Sequence, residues 1–429
     1  MNITDSKQIS TILSSYDIIK YLSIWDRVEL SSTSKLIYDK LTCYRLERYN
    51  IGSSEFQEYI NNTQQRTYWT DDNYEPRLEY FNDAINKYKP YLTRFAFGVV
   101  DYILLNHFSF KFQNLTSLEL SNIILPKSEL LVIIGNFKKL SYLTLMGITA
   151  AYSKTENINT KFKFSAFLRQ LKWQNCVEFE LNDTDLLSSN QLAKYINFEN
   201  TKVLDISLNL VNSLKSLIWC NFDSSDMELL CNLITNNPGL TKFTTTLHSI
   251  NQAILECITN NRNLTELTIL DSISSILLTS DHLINLANIK SLHFPFIASE
   301  SVTSINLLIE RCQNLENLEL FLNYNTDITY TNYIKKLVKL KALKVISTVF
   351  IPSFLYSNFS QDNLEVLEIC TFNPLKLNFN NFTNLTKLKV ITNACSDNNP
   401  KNWTYSPDFE DLNGWRAIKY DRSIKYWKL

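Results

Sequence analysis

Few side chains in this sequence could carry out chemistry, and their spacing does not bring them together. The four histidines, His107, His248, His282 and His293, are scattered, and none has a carboxylate or cysteine at metal-ligand spacing. Asp281-His282 is an adjacent acid–imidazole pair from which proton transfer could be built, yet its surroundings read as a helix start carrying a surface histidine. The eight cysteines, at 43, 176, 220, 231, 257, 312, 370 and 395, contain no Cys-x-x-Cys pair and read as buried thiols. Six glycines in 429 residues, at 52, 98, 135, 147, 239 and 414, cannot supply a phosphate-cradling loop. No catalytic residue, metal site or cofactor is expected.

The elements around these residues must therefore explain the chain. A hydrophobic fraction of 45% with 20% charged residues is that of a folded protein able to bury a large core. The formal charge of −1 creates no global field for nucleic acid or an anionic membrane, and neither partner is expected. The first ten residues lack the basic-then-apolar order of a signal peptide, which leads us to expect a cytoplasmic or nuclear protein. The apolar stretches near Phe95–Leu105 and Leu130–Gly135 are interrupted or much shorter than the ~20 residues of a membrane span.

From about residue 92 a beat recurs: an apolar residue, two variable positions, a second apolar residue, one variable position and a third. It reads Leu92, Phe95, Phe97; Leu115, Leu118, Leu120; Leu140, Leu143, Leu145; Leu264, Leu267, Ile269; and Ile289, Leu292, Phe294. It continues as Leu315, Leu318, Leu320; Leu340, Leu343, Val345; Leu364, Leu367, Ile369; and Leu385, Leu388, Val390. Neighbouring copies start 21 to 26 residues apart. Between 146 and 260 the beat is weaker. Cys176, Phe179, Leu181 and Thr201, Leu204, Ile206 read as degenerate copies, Leu214, Leu217, Trp219 competes with the second of these, and 150–160 reads as an exposed loop. Leu240 and Phe243 restore the count, with Thr245 in the third apolar place.

The second and third apolar residues alternate, as in a strand with one buried face. Ser301–Cys312 and Met227–Thr235 carry apolar residues at spacings of three and four, as an amphipathic helix does. Strand, helix, strand at this length predicts a parallel sheet. Strands pack ~4.8 Å apart and helices ~8–10 Å apart, so the stack is expected to curve with the sheet on its concave face.

The pattern resembles that of leucine-rich-repeat proteins, over about three quarters of the chain. The resemblance implies an α/β solenoid over 91–429. Cys312-Gln-Asn-Leu315 is similar to the cysteine-containing subclass common in F-box proteins, and Asn122 lies near the family's asparagine-ladder place. Trp415, Ile418 and Tyr420, then Ile424, Tyr426 and Trp427, suggest a last repeat and a short closing strand.

Residues 12–46 predict three short helices that cannot bury their apolar surface alone. Asp17-Ile18-Ile19-Lys20-Tyr21-Leu22, then Asp26, Leu30, Ser34-Lys35 and Tyr38, resemble an F-box, although the usual Leu-Pro start is replaced by Leu13-Ser14. That resemblance implies an F-box-like motif over 1–46 docking on a Skp-type adaptor of a cullin–RING ubiquitin ligase. Ile18, Ile19, Tyr21, Leu22, Val28, Leu30, Leu36 and Tyr38 would form the contact. The other reading is that these helices cap the repeat array. Residues 47–90 are expected to join the two parts as a helical linker or N-terminal cap.

By the alternation rule, residues flanking the buried positions project from the sheet toward a target protein. These are Glu119, Tyr142, Glu178, Glu180, Asp205, Lys242, Glu266, His293, Glu319, Phe321, Lys344, Glu368, Lys387 and Lys389. The first half leans acidic and the last repeats basic, a pattern suited to a dipolar protein. The function expected is that of a non-catalytic substrate receptor. The alternative is a repeat scaffold or inhibitor unrelated to ubiquitin.

Overall fold

The computed structural model describes residues 41–42, 46, 48–51, 86–98, 102–153, 165–181, 192–196, 200–205, 213–220, 227–270, 284–296, 301–322, 333–347, 362–371, 384–392, 414–420 and 423–428. The eight adaptor-contact residues between Ile18 and Tyr38 lie outside them. The chain forms two compact units, 1–213 and 214–429.

In the first unit, β1 (Arg48–Ile51), β2 (Arg94–Gly98), β3 (Ser117–Ser121), β5 (Tyr142–Met146) and β7 (Gln170–Gln174) form a parallel sheet in that order. Phe95, Leu118, Leu143 and Leu171 share one register position, and Phe97, Leu120, Leu145 and Trp173 share another. All eight are buried, so the repeating leucines form continuous rows. Each such side chain contributes about 1.5–3 kcal/mol on leaving water. Helices α1 (Tyr102–Lys111) and α2 (Lys127–Asn136) connect successive strands. The Phe108 ring of α1 meets Phe95 edge-on at 5.5 Å, stacks on Phe112 at 5.7 Å and lies 6.2 Å from Phe97.

A second sheet follows the first. β4 (Ile124–Pro126), β6 (Thr149–Ser153) and β8 (Val177–Leu181) are parallel, and β9 (Lys202–Val203) closes it antiparallel to β8. The chain turns from one sheet to the other through left-handed residues at equivalent places, Asn122 (φ 53°), Gly147 (φ 58°) and Asn175 (φ 50°). Asparagine and glycine adopt this region most readily. Asn122 is exposed rather than part of a buried ladder, because the buried place falls one residue later, on Ile123, Ile148 and Cys176.

This second sheet corrects the reading of 146–260. The true copies are Leu168, Leu171, Trp173 and Leu214, Leu217, Trp219, on β7 and on β10 (Ser216–Cys220). Phe179 and Leu181 lie on β8, and 201–205 lead into and out of β9, so neither segment is a repeat of the main sheet. The expected loop at 150–160 begins as β6, where Ala150 and Ala151 are fully buried. A further copy stands at Leu46, Tyr49 and Ile51, where Tyr49 pairs with Phe95, so 47–90 contains a strand as well as the helical residues 86–88.

In the second unit the order is β10, β11 (Lys242–Thr246), β12 (Glu266–Leu270), β13 (Ser291–Phe294), β14 (Asn317–Leu322), β15 (Ala342–Ser347), β16 (Val366–Thr371), β17 (Lys387–Thr392), β19 (Ser423–Lys428) and β18 (Trp415–Tyr420). β10 to β17 are parallel, and Leu217, Phe243, Leu267, Leu292, Leu318, Leu343, Leu367 and Leu388 fill one buried row. β18 and β19 form an antiparallel hairpin on β17, so among the described residues Trp415–Tyr420 is not the expected last parallel repeat. Trp415 pairs with Lys428, and Tyr426 is buried opposite Leu388. Helices α3 (Met227–Thr235), α4 (Gln252–Asn260) and α5 (Val302–Arg311) connect strands here, and Asn251 caps α4 by accepting the Ile254 N–H at 3.0 Å.

Most parallel strands of the main sheet begin at a shared anchor, a carbonyl of the preceding repeat that accepts two successive N–H groups. The Thr93 carbonyl accepts the N–H groups of Thr116 and Ser117, and the Glu316 carbonyl accepts those of Lys341 and Ala342. Just before many strands stands an asparagine whose side chain donates back one repeat. Asn263 reaches the Pro238 carbonyl at 2.8 Å, Asn314 that of Ala287 at 2.7 Å, and Asn384 that of Asp362. Asn288 reaches the carbonyls of Ile258 and Leu264, both at 2.9 Å. Each unit is thus a stack of repeats, each led by a parallel strand whose apolar residues fall into shared buried rows.

Candidate protein-binding face

On the outer side of the second unit, one register row runs His293, Glu319, Lys344, Glu368, Lys389. Parallel strands ~4.8 Å apart hold equivalent side chains within reach of each other. Glu319 lies 3.1 Å from His293 Nδ1 and 2.7 Å from Lys344, and Glu368 lies 3.1 Å from Lys389. Two residues earlier along the strands, Lys242 pairs with Glu266 at 2.7 Å, and His293 Nε2 is 3.9 Å from that same carboxylate. Within this unit the expected gradient from acidic to basic is replaced by alternation, because opposite charges face each other across neighbouring strands.

The His293 hydrogen bond, followed by that of Lys344, holds the Glu319 carboxyl down to about 2 despite its partial burial. A carboxyl whose folded pKa is depressed adds stability above its unfolded value and loses it as pH falls. The contribution of Glu319 is therefore present above about 4.5 and disappears on acidification toward about 2. Partial solvent screening keeps it near ~1 kcal/mol. In thermal melts, Glu319→Gln should melt below the wild type at neutral pH, and the difference should shrink through this window. A pH-independent difference would remove the ion pair from the explanation.

A second charged row lies at the strand starts. Glu316 sits 3.3 Å from Lys290 and 3.0 Å from Lys341, which with its hydrogen bond to Lys341 lowers the Glu316 pKa. Glu316, Val338, Lys339, Lys341, Asn363 and Glu365 line a shallow recess of about 280 Å³. Small-molecule sites are typically enclosed and ~300–1,000 Å³, so this open recess lies below their usual range.

Beyond the charges, toward the strand ends, the face is apolar. The Phe321 ring lies 5.4 Å from that of Phe296, which is 49% exposed, and Ile346 follows Phe321 in register. Phe296 escapes the alternation rule because it lies just past β13, although the run Phe294-Pro295-Phe296 marks it. Lys387 is exposed at the start of β17.

In the first unit Glu119 and Tyr142 project from the outer face as expected, with Tyr142 exposed. Glu178, Glu180 and Asp205 do not belong to that face, because they lie on or beside β8 and β9 of the second sheet. Glu178 is buried, pairs with Lys127 of α2 at 2.7 Å and accepts the Asp205 N–H at 3.0 Å. Lys127 Nζ also sits 5.7 Å from the Tyr152 ring. His107 is held below its usual pKa by burial and then by Lys111, and His282 lies outside the described residues. Among the described residues there is no cluster of three metal-ligating side chains, and no helix is long and apolar enough to cross a membrane.

No family model and no curated protein matches the chain. Among solved structures it is similar to TLR13 in a TLR13–ssRNA13 complex, at 14% identity over 71% of this chain and 57% of that one, with a TM-score of 0.28. It is also similar to the leucine-rich-repeat ectodomain of the Arabidopsis receptor kinase HAESA, in complex with an N-terminally extended IDA peptide hormone. Identity there is 16% over 67% of this chain and 40% of that one, with a TM-score of 0.25. The Leptospira interrogans leucine-rich-repeat protein LIC12759 is 15% identical over 66% of this chain and 85% of that one, with a TM-score of 0.18. The chain spans about half the length of the first two. The repeat character of each unit rests on its own register and burial pattern.

Proposed function

We propose that the chain is a non-catalytic protein-binding repeat protein that holds a partner on the outer face of its second-unit sheet. One observation carries this reading: charges on that face neutralise one another in place beside an apolar band of exposed Phe296 and half-buried Phe321 and Ile346. A protein partner can cover such a surface without stranding a net charge, and aromatic anchors in a polar rim are where binding energy concentrates. Glu119, Tyr142 and Lys387 are secondary contacts in this reading.

The finer proposal concerns the N-terminus. The Ile18-Ile19-Lys20-Tyr21-Leu22 run with Asp26, Leu30 and Tyr38 supports docking of residues 1–46 on a Skp-type adaptor, which makes the chain the substrate receptor of a cullin–RING ubiquitin ligase. Its contribution is proximity, as it positions a lysine of the bound protein near a conjugating enzyme held by other subunits.

Binding of the full chain to purified adaptor tests this. Leu22→Asp and Leu30→Asp should each weaken it by about 30-fold or more, the loss expected at a buried apolar anchor. Phe321→Asp should leave the adaptor bound while releasing proteins that co-purify with the wild type. Adaptor binding that ignores Leu22 and Leu30, or is absent, ends the ligase reading. Retention of every co-purifying protein by Phe321→Asp ends the outer-face reading.

A further inference from the structure

We propose that Cys231 and Cys257 form a reversible dithiol–disulfide site that exchanges with low-molecular-weight disulfides. The sequence suggests buried, inert thiols throughout, and for Cys176 and Cys312 the structure agrees. Both are fully buried with their thiols pushed up to about 12, and Cys176 donates to the Leu145 carbonyl. Cys231 and Cys257 differ. They are half-exposed and stand about one repeat apart on α3 and α4, which pack side by side, and Thr235, four residues beyond Cys231 on α3, touches Cys257.

The Thr235 hydroxyl donates to Cys257 Sγ at 3.6 Å, and Cys231, one turn earlier on α3, shares the helix face that meets this sulfur. Burial first, then the neighbouring Cys257 and the charge of Glu256, push the Cys231 thiol up to about 12, so Cys231 is assigned the second, resolving attack. After losing its proton to solvent, Cys257 displaces one half of a small disulfide RSSR and forms a mixed disulfide. Cys231, deprotonated as it attacks, then displaces the second half from Cys257. Two protein thiols and RSSR become one protein disulfide and two RSH. The cysteines give up two electrons, and their two protons pass to the departing thiolates.

The bridge would staple neighbouring repeats and close a loop one repeat long, constraining the unfolded chain. The full chain, equilibrated with graded ratios of reduced and oxidised glutathione and then alkylated, should lose two alkylation sites together and yield a Cys231–Cys257 linked peptide. Its melting temperature should rise by about 5 °C or more over the reduced form. Cys231→Ser should instead stop at a glutathione mixed disulfide on Cys257, with no such rise. Accumulation of that mixed disulfide in the wild type without the linked peptide, or no reaction at either cysteine, overturns the proposal.

Discussion

Replacing Glu178 with alanine should lower the melting temperature of the first unit by roughly 10 °C. The carboxylate is buried against Lys127 at 2.7 Å, with side-chain exposures of 10% and 6%. Removing it leaves an ammonium group in the interior without its counter-charge, a change that costs about 3–5 kcal/mol. For a domain of this size each kcal/mol moves the melt by about 2–4 °C. Two local features increase the cost. Lys127 is the first residue of α2, where the helix dipole already disfavours a cation, and Glu178 also accepts the Asp205 N–H, which would lose its acceptor. Replacing both partners with apolar residues, Lys127→Met with Glu178→Leu, should recover most of the loss, since no buried charge then remains. Calorimetry of the three variants decides it. A Glu178→Ala melt within a degree of the wild type would mean that water reaches this pair.

Phe108→Ala should destabilise the same unit by about 3–5 kcal/mol in chemical denaturation. Its ring sits at the centre of an aromatic cluster in which Phe95, Phe97 and Phe112 all lie within 6.2 Å. Truncation removes apolar burial, leaves a cavity and breaks three ring contacts at once. Phe108→Leu should cost markedly less because it keeps most of the volume. Equal losses in the two variants would show that the ring contacts, rather than filled space, dominate.

The repeating leucines were readable because a strand with one buried face must alternate: eight copies place all three apolar residues in the buried rows at the predicted spacing, and a ninth places Leu385 and Leu388 there. The difficult stretch failed for a physical reason. β8 carries its own apolar residues immediately after a true strand and β9 pairs with it, so a second sheet imitates displaced repeats beside the real copy at Leu168, Leu171 and Trp173. The copy at Leu46, Tyr49 and Ile51 stands nearly two repeat lengths before Leu92, so the beat did not reach it. At the face, which residues point outward followed from the alternation, except where the second sheet intervened at Glu178, Glu180 and Asp205. That charges pair across strands did not, because such pairing depends on the register of residues about one repeat apart in the chain. Aligning the copies at their first leucine brings Glu319 beside Lys344 and would have exposed it.

The asparagines that precede the strands have a consequence for how this array tolerates change. Each grips a carbonyl of the preceding copy through its own side chain, so the copies that carry one reset their phase locally instead of inheriting error from the one before. Copies of unequal length can then coexist, since extra residues accumulate downstream of the strand without shifting the leucines out of alignment. A tag or foreign peptide grafted after a strand should be carried passively, whereas one residue slipped between such an asparagine and its leucine would throw the next strand a full face out of step.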